Sequence, residues 1–221
     1  MISLQDVSFH YKRGKWVFQE LNLEIRRNLI TFIVGPNGGG KTTLGKLMAG
    51  ILKPQTGMVL IDNLNTKEVP LAELGAKVGY LFQEPERQIF ANTVREEIGF
   101  VLDLREVPPA ESKAKVDQAL AQFQLTHLAA LSPLKLSRGE KQRLVIAAIM
   151  VNQPQFFILD EPTTGLDQER KAILSGVIEG LQQQGIGMAI ISHDQSFVQR
   201  HAQQLITVAK GEIVDVANPN T

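Results

Sequence analysis

The chain has 221 residues, enough for one substantial core or one core with a smaller subdomain, and too few for two full-sized catalytic domains. Lysine plus arginine balance aspartate plus glutamate at 23 each, so no global field favours nucleic acid or an anionic membrane surface, and partners must be recognised locally. The absence of cysteine excludes disulfides, thiolate metal sites and cysteine nucleophiles.

Residues 1–6 carry no basic segment leading into an apolar stretch, so no secretory signal is expected and the mature chain is expected to start here. The apolar runs 156–159 and 188–191 fall far short of the roughly 18 to 20 residues of a membrane helix. Work at a membrane would require docking onto other subunits.

In chain order, residues 2–9, 21–25, 29–34 and 58–61 read as short strands, with Pro54-Gln55-Thr56-Gly57 as a turn. The run 29–34 ends in Gly35-Pro36-Asn37-Gly38-Gly39-Gly40, and residues 41–52 then have helical spacing. From about residue 93 to 151 the pattern turns helical, with amphipathic stretches at 94–104, 110–123 and 138–151 that read as an insert. Residues 156–160 and 187–192 read as buried strands around a helix at 168–184, and 204–209 with 212–216 as a terminal hairpin. Strands alternating with helices imply an α/β fold with a mostly parallel sheet covered on both faces.

The segment Gly35-Pro36-Asn37-Gly38-Gly39-Gly40-Lys41-Thr42 has glycine, four residues, glycine, lysine and threonine in the order of a phosphate-binding loop. Glycines let successive N–H groups turn inward toward phosphate oxygens, and the following helix adds the positive end of its dipole. Lys41 would neutralise the β- and γ-phosphates of a nucleotide, and the Thr42 hydroxyl would coordinate magnesium.

Asp160 and Glu161 close the apolar run Phe156-Phe157-Ile158-Leu159. A buried strand would deliver Asp160 to the carboxyl edge of the sheet, opposite Thr42, to hold magnesium. Glu161 would then orient the water attacking the γ-phosphate or take its proton. Two acids capping a strand before the Pro162 turn is the bland alternative, weakened by the glycine loop upstream.

Leu136-Ser137-Arg138-Gly139-Glu140 resembles the signature motif of ATP-binding cassette ATPases, usually leucine, serine, two glycines and glutamine. Tyr11, Gln83 after residues 78–82, Gly165-Leu166-Asp167 and Ser192-His193-Asp194 follow in that family's order and near its spacing, so the likeness covers essentially the whole chain. It implies a P-loop NTPase with a RecA-like core, an N-terminal antiparallel β subdomain and a helical signature subdomain at about residues 90–152, all within one nucleotide-binding domain of residues 1–221.

The resemblance further implies ATP and Mg²⁺ as cofactors. Tyr11 would stack on adenine, and residues 35–42 with Thr43 would hold the phosphates. Thr42, Gln83 and Asp160 would serve the metal. Glu161, His193 and Gln83 would be catalytic; His10, His127 and His201 are expected to be structural. Ser137, Arg138, Gly139 and Glu140 would meet the nucleotide of a second ATPase subunit, with Asp167 crossing that interface. Three residues depart from the pattern: Gly39 stands for the more usual serine, expected to cost conformational entropy without removing a required phosphate contact, and Arg138 and Glu140 replace glycine and glutamine.

Phe82-Gln83-Glu84-Pro85-Glu86-Arg87-Gln88-Ile89-Phe90 resembles the extended glutamine loop of energy-coupling factor importers. That likeness implies a peripheral protein on the cytoplasmic face of the membrane, serving import of a vitamin or of cobalt or nickel. Its implied partners are a transmembrane coupling subunit, a separate substrate-binding membrane protein and a second ATPase, with no nucleic acid. Only ten residues follow Gly211, where many of those ATPases carry a longer dimerising extension. Another importer type, or a membrane-complex ATPase that moves no solute, is the alternative reading.

Overall fold

The computed structural model describes residues 1–12 and 14–218. In chain order the elements are β1 (Ile2–His10), β2 (Trp16–Ile25), β3 (Ile30–Val34), α1 (Lys41–Met48), β4 (Thr56–Ile61), β5 (Leu64–Asn65), α2 (Leu71–Lys77) and β6 (Val78–Leu81). There follow α3 (Val94–Leu104), α4 (Pro109–Gln122), α5 (Arg138–Met150), β7 (Phe156–Asp160), α6 (Gln168–Gln183), β8 (Gly187–Ile191), α7 (Gln195–His201), β9 (Gln204–Ala209) and β10 (Glu212–Ala217). They group into two compact units, Met1–Tyr80 with Gln155–Pro162 and Leu181–Thr221, and Leu81–Pro154 with Thr163–Gly180.

The first unit holds two sheets. One is four-stranded in the order β2-β1-β4-β5, with antiparallel pairing throughout. Its central strand β1 buries Ile2, Leu4, Val7 and Phe9. Strict alternation would put Val7 on the opposite face from Leu4, but the register shifts between them at Asp6, which adopts φ 49°. This bulge returns Val7 and Phe9 to the core face.

The second sheet runs β10-β9-β3-β8-β7-β6. Strand β3 pairs in parallel with both β8 and β9, and β7 pairs in parallel with β8, while β10 returns antiparallel on β9. Every residue of β7 and β8 is buried, which is why both read as unbroken apolar runs rather than as alternating strands. The parallel strands end on one edge: Ile33 pairs with Ile191, and Ile191 with Asp160. Residues just beyond β3, β7 and β8 therefore emerge side by side.

Helix α1 stops at Met48, short of the expected residue 52, because Gly50 takes the left-handed conformation at φ +70° and turns the chain out. Helices α2 and α7 were not legible in advance; at seven residues each they span less than two full turns of apolar periodicity.

The second unit is helical. Thr93 caps α3 in a reciprocal box with Glu96, and the helix buries Val94, Ile98 and Leu102 while leaving Phe100 and Leu104 exposed. Consecutive residues Leu144, Val145, Ile146 and Ala147 of α5 are all buried, so this helix is enclosed rather than amphipathic. Among the described residues no helix is long and apolar enough to cross a membrane.

Candidate nucleotide site

The glycine loop leaves β3 at the shared edge and enters α1. Gly35, Gly38 and Gly40 hold φ of +136°, +74° and +108°, where a side chain would be strained. At Gly35 a Cβ would stand 2.0 Å from the Val208 carbonyl oxygen, so the loop is pressed against β9. Gly39 is confined less severely: its Cβ would lie 2.9 Å from the same oxygen and 3.0 Å from the Pro36 oxygen. The expected entropic cost at this position is thus joined by a close backbone approach that a serine could enter only by shifting the loop. The Gly211 amide in the β9–β10 turn also donates to the Gly39 oxygen at 3.2 Å.

Helix α1 has no side-chain cap, because the preceding residue is Gly40. The N–H groups of its first turn, which lack intrahelical acceptors, are available to an anion. Lys41 is buried, its ammonium donating to the oxygens of Gly35 at 2.9 Å and Pro36 at 3.0 Å. Burial lowers its pKa, while the charges of Glu161 and Asp160 oppose that shift. A buried cation beside free helix amides and two carboxylates suits a polyphosphate carrying its own counter-cation.

Asp160, only 1% exposed, accepts hydrogen bonds from the Thr42 hydroxyl to Oδ1 and the Tyr80 hydroxyl to Oδ2, both at 3.1 Å. Burial raises its pKa against the opposing hydrogen bonds and the charges of Lys46 and Lys41. Tyr80 is held protonated, first by burial and then by the Asp160 charge, and so stays a donor. Thr42 and Asp160 thus present adjacent oxygens suited to a hard divalent cation. No cluster of three His, Cys, Asp or Glu side chains that could hold a metal occurs among the described residues, so a cation here would not be caged by carboxylates and imidazoles alone, and a bound phosphate would supply further oxygens.

Glu161 has φ 52°, in the left-handed region, and its N–H donates to the Ile191 oxygen at 2.9 Å. That kink turns the carboxylate off the β7 direction and toward β8, where Oε1 lies 3.1 Å from His193 Nε2. Strained backbone of this kind persists where its surroundings over-determine it. Burial raises the Glu161 pKa, with Asp160 adding to the rise and His193 and Lys41 opposing it. A carboxylate of raised basicity, oriented by a histidine, is the arrangement a proton acceptor needs.

Tyr11 is half exposed, packs edge-on against Phe9 with ring centroids 5.0 Å apart, and places its hydroxyl 3.1 Å from Thr43 Oγ1. It thus stands beside the first turn of α1. His201 is buried against Phe197, with centroids 4.7 Å apart. Tyr80 was the residue that reading the sequence missed; nothing in a buried strand run distinguishes a hydroxyl aimed at a carboxylate from a core aromatic.

In the helical unit, Ser137 caps α5 in a reciprocal box: its hydroxyl accepts from the Glu140 amide at 3.4 Å and its amide donates to Glu140 Oε2 at 2.7 Å. The box engages both the Ser137 N–H and its side chain with Glu140. Burial pushes the Glu140 pKa up, but the hydrogen bonds to Ser137 and the charges of Arg143 and His127 outweigh it and hold the carboxyl ionised. Gly139 lies against Arg170 and Leu166. Asp167 caps α6 by accepting from the Arg170 amide and its guanidinium, each at 2.9 Å. Gln83 offers its backbone oxygen to Arg138 at 2.9 Å, and Gln88 pins the same loop by accepting from the Phe82 amide at 2.8 Å.

A family model for ABC transporters matches residues 18–164, well over half of the chain. A Pyrococcus furiosus protein assigned as an ABC transporter ATP-binding protein is 40% identical over 96% of this chain and 82% of its own length. The energy-coupling factor transporter ATP-binding protein EcfA of Methanothermobacter thermautotrophicus is 34% identical over 99% of this chain and 71% of its own. Among solved structures, cbiO1 from Clostridium perfringens, part of the ABC transporter complex cbiONQ, superposes with a TM-score of 0.90 at 31% identity, covering 99% of this chain and 88% of that one. A dimeric ATP-binding cassette bound to ADP and Pi in a post-hydrolysis state gives 0.88 at 26% identity, covering 99% of both chains. The chain therefore belongs to the ABC transporter family, as an ATPase resembling the ATP-binding subunits of energy-coupling factor importers.

Proposed function

We propose that the whole chain is one nucleotide-binding domain, with a helical subdomain at about residues 90–152, that hydrolyses Mg-ATP between two ATPase copies. The observation that carries this is the meeting of Lys41, Thr42, Asp160, Glu161 and His193 at one sheet edge. The loop 35–42 and the first turn of α1 bind the phosphates, and Tyr11 stacks on the base. Thr42, Asp160 and Gln83 hold magnesium, which when bound neutralises charge on the transferring phosphate. Glu161 takes the proton of the attacking water, His193 holds that carboxylate in place and contacts the γ-phosphate, and Gln83 aligns the water. The Ser137 hydroxyl and the first turn of α5, residues 138–140, complete the site of the second copy, with Asp167 crossing between them. The dimer of the cassette bound to ADP and Pi supports this pairing. Glu161→Gln protein is expected to bind ATP, accumulate as a dimer in gel filtration and turn over almost no nucleotide; wild-type turnover would refute the role of Glu161.

The finer reading is an energy-coupling factor importer for a vitamin or for cobalt or nickel. It is supported by the Gln83–Phe90 sequence, by the likeness to EcfA and by that to cbiO1. A transmembrane coupling subunit docks beside the Gln83 loop, and a separate membrane protein binds the solute. The ATPase then sits peripherally on the cytoplasmic face. Purification of the tagged chain from native membranes tests this: recovery of a polytopic coupling subunit supports it, and recovery of ribosomes or DNA refutes it.

A further inference from the structure

Arg138 occupies a position where the family pattern has glycine, and its side chain reaches two other loops of the helical unit. Its Nη2 donates to the Gln83 oxygen at 2.9 Å. Its Cδ, Nε and Nη1 lie 3.4, 3.5 and 3.5 Å from where a Cβ on Gly165 would stand, so the guanidinium stem lies close against a turn that is bare because Gly165 holds φ +76°. Nε is buried without an acceptor. Withdrawing the Gln83 loop would forfeit this charge-assisted bond, which lies at the surface, together with the packing of the guanidinium stem that holds loop and helix in register.

We propose that Arg138 is a positioning residue that straps the Gln83 loop to the start of α5 and to the Gly165 turn, so that the three move together during ATP turnover. The proposal rests on the nucleotide-handling roles assigned above to Gln83 and to Ser137–Gly139. A glycine has no side chain to make this link, and a lysine has a point charge without the planar fork. The strap makes the glutamine loop and the signature helix one mechanical body in this chain, where glycine would let them respond separately.

The test compares Arg138→Met, Arg138→Gly and Arg138→Lys with the wild type by hydrogen exchange of the isolated chain and by steady-state hydrolysis of Mg-ATP. The Met variant keeps the apolar stem and loses every donor. Amides of residues 82–90 should exchange faster while α5 stays protected. The kcat should fall about tenfold, the scale of one lost hydrogen bond to a charged donor, with KM for ATP within about twofold. The Lys variant should recover part of kcat, and the Gly variant should match Met. Unchanged exchange at residues 82–90 overturns the strap. Faster exchange with unaltered kcat, or a raised KM at constant kcat, overturns its part in turnover. Should Glu161→Gln protein hydrolyse ATP normally, the site assignment fails instead, while the exchange measurement still judges the link between Arg138 and the Gln83 loop.

Discussion

His193 Nε2 lies 3.1 Å from Glu161 Oε1, across the edge where β7 and β8 run side by side. The contact depends on the left-handed backbone of Glu161, without which successive residues of β7 would alternate across the sheet. The kink sets the geometry while burial sets the basicity, and each can be tested separately.

Glu161→Gln should lower kcat by about 10²- to 10⁴-fold, the usual contribution of a positioned proton acceptor, with nucleotide affinity preserved. His193→Ala should lower kcat without abolishing ATP binding, because it removes the group that orients the carboxylate. Turnover assays paired with binding of a fluorescent ATP analogue check both.

The raised pKa of Glu161 sets a pH dependence. Only the ionised carboxylate accepts a proton, so kcat should fall as pH decreases through a value above the ordinary 4.5 of a glutamate. A kcat profile with its acid limb at or below that ordinary value would remove Glu161 from this role.

Asp160 and Glu161 also make stability depend on pH. A carboxyl whose folded pKa is raised favours folding below its unfolded pKa, and that contribution is lost as pH rises through the folded value. Asp160→Asn, without nucleotide or magnesium, should therefore melt above the wild type at pH 8, with the gap closing as pH falls toward 4. Thermal melts across that range decide it; a gap that widens toward acid contradicts the buried-carboxylate account.

Gly35→Ala should destabilise the chain by about 2 kcal/mol, since its Cβ would overlap the Val208 oxygen at a positive φ. Urea unfolding measures this. Ser137→Ala should cost about 1 kcal/mol through loss of the α5 cap. Its kcat should fall further than that loss of stability explains, because the hydroxyl assigned to the second copy's nucleotide is removed as well.

Much of the molecule is legible from local chemistry. The glycine spacing at 35–42, the unbroken apolar runs ahead of Asp160 and Ser192, and the serine before α5 each declare their element, because backbone permissiveness, burial on both faces and helix capping act within a few residues. The short helices α2 and α7 escape that reading, and so does the β1 bulge at Asp6, whose register is chosen by β2 and β4.

What only the tertiary structure decides is which side chains meet. Parallel pairing of β3, β8 and β7 carries Lys41, Asp160, Glu161 and His193 to one edge from three distant stretches of chain. Tyr80 becomes a donor to Asp160 only when its strand is buried in that unit, and Arg138 acquires its acceptor only when the Gln83 loop folds back on α5. The sequence by itself determines the elements and the chemical groups, because propensity and patterning are local. The pairing of those groups, the burial that shifts their pKa values and the confinement of Gly39 by Val208 depend on contacts between residues far apart in the chain, which no local signal encodes.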